Sequence, residues 1–83
     1  MANTKSRQSE GSVLGEYFAE NMRIRRMKLG YTQVRMAELL GIQQSTYAHY
    51  EGHRRSPLLY TMERIARVFG CTVIEMLSPP PKE

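Results

Sequence analysis

Four residues in a ten-residue stretch, Gln44, Ser45, Thr46 and His49, carry side chains that hydrogen-bond without a fixed charge. At helical spacing they line one side of an element whose other side carries Tyr47 and Tyr50, three residues apart. Amides and hydroxyls outside, aromatics inside: this is the pattern of a helix presented to base edges in DNA. A Gln amide both accepts from N6 and donates to N7 of adenine, a contact that discriminates by about 1 to 3 kcal/mol. Gln44 is therefore the leading reader, and Ser45 reads less strictly. The tract from Ile42 to Glu51 holds no Lys or Arg, while Arg23, Arg25, Arg26 and Lys28 precede it and Arg54 and Arg55 follow. That distribution fits a division of labour in which cations hold phosphates and neutral side chains face bases. The competing reading is an ordinary solvated helix face, and the charge pattern alone does not separate the two.

Other chemistry finds less support. His49 and His53 are four apart, a zinc-binding spacing on a continuous helix, but Gly52 is expected to break the helix between them. Cys71 is distant in sequence and no fourth ligand suggests itself, so neither a metal nor a cofactor is expected. His49 is instead assigned to a base or phosphate, and His53 to a phosphate. No nucleophile, base and orienting acid come together, and no glycine-rich phosphate cradle is present, which argues against an enzyme.

The elements that must position these residues are helices. Ser12 caps a helix from about Val13 to Leu29, whose inner face is marked by Phe18, Met22 and Leu29 and which ends at Gly30. Arg25 lies close to that face, so its stem is expected to pack while its head reaches outward. Thr32 caps a helix over Gln33 to Leu40, with Met36, Ala37 and Leu40 on its buried stripe. Gly41, Ile42 and Gln43 leave room only for a sharp corner before a helix over Gln44 to Glu51. Pro57 suits the first turn of a fourth helix, and Leu59, Met62, Ile65, Ala66 and Phe69 repeat at helical spacing up to Gly70. Thr72 and Glu75 form a capping-box pattern for a short helix over Val73 to Leu77. With no strand signal and no internal repeat, the fold class is all-α with five helices.

Length and composition set the outer bounds. Eighty-three residues make one domain with a small core. The net charge of +4 favours a polyanionic partner. A single cysteine excludes an internal disulfide, no apolar run approaches the ~20 residues that span a bilayer, and the N-terminus lacks a secretory signal. A cytoplasmic protein with no membrane contact is expected. Residues 1–11 read as a disordered arm, residues 12–77 as the folded domain, and residues 78–83 as a proline-rich tail.

From Phe18 to Leu77 the sequence resembles the Cro/C1-type, or XRE, family of helix-turn-helix regulators, whose type domain is lambda-repressor-like. The resemblance rests on LGYTQVRMAELLGIQQSTYAHYEG and continues through PLLYTMERIARVFGCTVIEML. It implies a DNA-binding transcriptional regulator in which Gln44, Ser45 and His49 face the major groove with Thr46 beside them. It also implies phosphate contacts from Gln33, Gln43, Arg54 and Arg55, and a hydroxyl from Thr32 at a helix start. In some members a basic residue of the first helix pairs with the acid that ends the reading helix; the matching positions are Arg26 and Glu51. The chain departs from the family at Arg25, where an aliphatic residue is common, and at Val34, Leu39, Leu58, Tyr60 and Ile74, which are apolar where polar residues are usual.

Leu58, Tyr60 and Ile74 are read as a homodimer seam, because one reading helix offers too few base contacts, whereas a two-fold dimer sets two readers about 34 Å apart on a palindrome. The expected function is operator binding as a homodimer, most simply in repression. The alternatives are an antitoxin that docks a small toxin protein, a controller protein of a restriction-modification system, and a helical interaction module without DNA binding.

Overall fold

A computed structural model describes residues 12–81, and within them the chain forms five helices. They are α1 (Val13–Leu29), α2 (Gln33–Leu40), α3 (Gln44–Glu51), α4 (Leu59–Phe69) and α5 (Val73–Met76). The arm expected over residues 1–11 and the last two residues of the tail lie outside the described residues.

Each boundary has a local cause. Ser12 Oγ accepts from the Gly15 amide at 2.9 Å to start α1, and Thr32 Oγ1 accepts from the Arg35 amide at 3.0 Å to start α2. The capping box of α5 is complete, with the Glu75 amide donating to Thr72 Oγ1 and the Thr72 amide to Glu75 Oε1. Pro57 sits just before α4 rather than in its first turn, because Leu58 is the capping residue.

Helices α1, α2 and α4 end alike, on a glycine in the left-handed region. At the end of α2 the Gly41 amide donates to Glu38 O and the Ile42 amide to Ala37 O, the paired bonds of a Schellman stop. The end of α3 makes the same pair of bonds, from His53 to Tyr50 O and from Arg54 to His49 O. Here the left-handed residue is His53, with φ at 58°, because Gly52 stands one position too early to take that role.

All five helices contribute to one core. Phe18 and Met22 of α1 meet Met36, Ala37 and Leu40 of α2, Tyr47 and Tyr50 of α3, Ile65 and Ala66 of α4, and Met76 of α5. Ile42 packs against this cluster from the corner, as its position between two short helices requires. Two residues expected inside are outside. Leu29 is 48% exposed and Leu59 is 64% exposed. Each is in phase with its helix's buried stripe, but Leu29 is the last residue of α1 and Leu59 the first of α4, at the ends of the packed stripe.

Candidate nucleic-acid interface

The α3 helix is held from behind by a single carboxylate. Glu51, in its last turn, has a side chain only 5% exposed and receives two arms of Arg26, Nε at 2.6 Å and Nη2 at 3.2 Å. Gln33 Nε2 donates to the same carboxylate at 3.0 Å and Tyr47 Oη at 2.7 Å. Arg26 Nη1 also donates to Tyr31 O at 2.9 Å, so one residue of α1 ties down both the entry to α2 and the end of α3. An acid at a helix C-terminus opposes the helix dipole, so these donors are what make the position tenable.

The electrostatics follow from that geometry. Burial by itself would raise the Glu51 carboxyl, but the hydrogen bonds from Arg26, Gln33 and Tyr47, with the charge of Arg26, hold it below the usual carboxylate value. Arg26 is raised further, chiefly by its bond to Glu51. The Tyr47 hydroxyl is pushed well up, first by burial and then by the carboxylate it donates to, so it stays a neutral donor.

The other side of α3 faces solvent. Gln44 and Ser45 are exposed, as is Gln43 before them, while Thr46 and His49 are half-buried. Tyr47 is fully buried and Tyr50 is 9% exposed, which leaves them to pack rather than stack on a base. No side chain caps the start of α3, so the backbone amides of its first turn add to the donors on this face. Thr32 Oγ1 accepts a backbone bond, yet its own proton remains available to an acceptor.

The flanking cations divide unequally. Arg23 pairs with Glu20 at 2.7 Å, Arg25 Nε donates to Asn21 Oδ1 at 3.0 Å, and Arg26 is committed to Glu51. Arg25 is thus held by a neighbour on its own helix, instead of reaching freely outward. Lys28, Arg54 and Arg55 are exposed. His53 lies against the first turn of α1, where a Cβ added to Gly15 would come within 2.8 Å of its Nε2.

Sequence reasoning singles out neither Ala48 nor Asn21. Ala48 follows Gln44 by one turn and adds a methyl to the polar face; that i+4 relation was the available signal. Asn21 is fully buried, and its amide donates to Tyr17 O, Met76 O and Ser78 O at 3.0, 3.1 and 3.0 Å. Nothing in the sequence marks an asparagine on α1 as the anchor of the C-terminal segment, because its partners are backbone carbonyls. Burial pushes the lone Cys71 thiol up, away from the reactive thiolate. Among the described residues no group of three or more His, Cys, Asp or Glu could hold a metal ion, and no helix is long and apolar enough to cross a membrane.

Known proteins resemble this chain in sequence and in fold. A family model described as helix-turn-helix matches residues 22–76. The transcriptional repressor RstR of the cryptic phage CTXphi in Vibrio cholerae is 31% identical over 61 residues, 74% of this chain and 55% of that protein. The SPbeta prophage-derived regulator YonR of Bacillus subtilis is 36% identical over 53 residues, 64% of this chain and 49% of that one. The chain thus spans about half the length of these relatives. A crystal structure of the hypothetical transcription factor NHTF from Neisseria superposes with a TM-score of 0.77 at 28% identity, over 82% of this chain and 76% of that one.

Proposed function

This chain belongs to the helix-turn-helix family of transcriptional regulators, and we propose from that premise that it binds a palindromic operator as a homodimer and represses transcription by occluding a promoter. Its part in that work is contact with DNA, not catalysis. The observation that carries the reading is the two-sidedness of α3. One face is locked by Tyr47, Tyr50 and Glu51, and the opposite face offers Gln44 and Ser45 to solvent with Thr46 and His49 beside them. A reader needs both, because a base-edge hydrogen bond discriminates only when its side chain stands on a fixed backbone.

In this reading Thr32, Gln33, Gln43, His53, Arg54 and Arg55 meet phosphates. Gln33 supports the reading, since one amide hydrogen is held by Glu51 and the second is left for an acceptor. Leu58 and Ile74, each 77% exposed, and Tyr60, 68% exposed, supply the seam between two copies. Acting on DNA in a phage or bacterial host puts the protein in the cytoplasm. Val34 and Leu39 of α2 are exposed as well and offer a surface to a small protein partner, as an antitoxin would need. A stoichiometric toxin in a pull-down would favour that second role.

The test is selection of binding sites from a random duplex library, comparing wild type with Gln44→Ala at two salt concentrations. A palindrome, a steep loss of affinity with salt, and loss of one base preference in the variant, worth about 1 to 3 kcal/mol, are expected. Absence of any enriched sequence, with a shallow salt slope, would overturn the proposal.

A further inference from the structure

We propose that Arg64, on α4 and outside the helix-turn-helix itself, is a positioning residue that fixes the corner from which α3 departs. The inference rests on the operator-binding reading for its functional consequence, and on geometry for the clamp. Arg64 Nη2 donates to Leu40 O at 2.7 Å. Leu40 is the last residue of α2, its side chain is 1% exposed, and its carbonyl stands at the mouth of the corner formed by Gly41, Ile42 and Gln43.

A Schellman stop satisfies carbonyls further back in the helix, here Ala37 O and Glu38 O, and leaves the final carbonyl to find its own partner. A glycine corner is also the most permissive backbone available, so the angle between α2 and α3 needs a restraint from elsewhere. Arg64 supplies one. The bond is charge-assisted and short, it spans 24 positions of sequence, and it reaches the corner from a helix rooted in the core by Ile65 and Ala66. The guanidinium carbon also lies 5.9 Å from the centre of the Tyr60 ring, one turn earlier on α4, within cation–π distance. Because α3 follows the corner directly, a change of angle there moves Gln44 and Ser45 relative to any base edge.

The experiment has a DNA-free arm and a DNA arm, both on the full chain after circular dichroism has shown the variants folded. In the first, amide hydrogen exchange is measured for wild type, Arg64→Met and Arg64→Lys. The Gly41 and Ile42 amides close the clamped corner, and the Gly70 and Cys71 amides, which close the equivalent corner after α4, are the internal reference. Arg64→Met is expected to exchange about tenfold faster at Gly41 and Ile42 relative to the reference, the size of one lost charge-assisted bond. Arg64→Lys, which keeps a charge and a donor, should fall between. In the DNA arm, the ratio of operator to non-specific affinity should drop by about tenfold in Arg64→Met with the salt slope unchanged, whereas a phosphate-contacting Arg would lower that slope by about one. Equal acceleration at both corners, or a reduced slope with the clamped corner still protected, would overturn the inference. A wild type with no sequence preference would instead overturn the operator-binding reading, and with it the reading role given to Arg64.

Discussion

Glu51 joins three elements of this molecule, because α1, α2 and α3 each send it a donor. A carboxylate buried among donors stabilises only while it is ionised. Its folded-state pKa is lowered, so the unfolded chain binds the proton more readily and the contribution has a definite direction with pH. The stability it supplies is complete above the ordinary carboxylate value of ~4.3 and is lost as pH falls through the lower folded-state value. Glu51→Gln should therefore cost about 3 kcal/mol near neutrality, chiefly by leaving the Arg26 guanidinium without its counter-charge. Urea midpoints of the two proteins should converge as the solution is acidified below pH ~4, and a gap independent of pH would show that the network stabilises by packing alone. At the same scale the Arg26–Glu51 pair shows what a resemblance can carry across: two residues 25 positions apart, named from matching positions, stand within 2.6 Å.

At the scale of elements, α2 to α5 are helices too short to persist alone, joined by stops that decide direction. Four of those stops use the same pair of backbone bonds, and only the one after α3 does so without a glycine. The shortest element, α5, has a single turn and a complete capping box, yet what fastens it is Asn21 of α1. That amide serves Met76 O and Ser78 O from a fully buried position, so the last turn and the chain beyond it are tied to the first helix. Asn21→Leu, close in size but unable to donate, should leave those carbonyls unpaired and cost about 1 to 3 kcal/mol. Limited proteolysis should then cut near residues 77–81 well before the rest of the domain, and an unchanged digestion pattern would mean that α5 is held by Met76 alone.

At the scale of the whole molecule, the exposed apolar residues of α4 and α5 are where the proposed homodimer is tested. Ile74 is 77% exposed, so Ile74→Glu should fold normally, yet raise the dissociation constant of a dimer by about tenfold or more through an unpaired charge in an apolar seam. Sedimentation equilibrium with and without operator would measure it, and unchanged association would place the seam elsewhere. How far such features could be foreseen follows from what each depends on. Caps, stops and helical period are local, and residues near in sequence settle them; Thr32, Gly41, the Thr72 and Glu75 box, the opposed faces of α3 and the bounds of α1, α2 and α3 are therefore legible, whereas the last helix ends at Met76, one residue short of the expected Leu77, and α4 starts at Leu59, after Pro57. Period gives phase but not depth. Leu29 and Leu59 lie in phase with buried residues and are exposed all the same, because only the packed neighbours determine how far along a helix the core extends. Likewise the sequence marks Arg23, Arg25 and Arg26 as cations beside a reader, and the fold commits them to Glu20, Asn21 and Glu51. Asn21 and Arg64 were invisible for one reason: both bond backbone carbonyls far along the chain, which every residue possesses and which tertiary structure alone brings within reach.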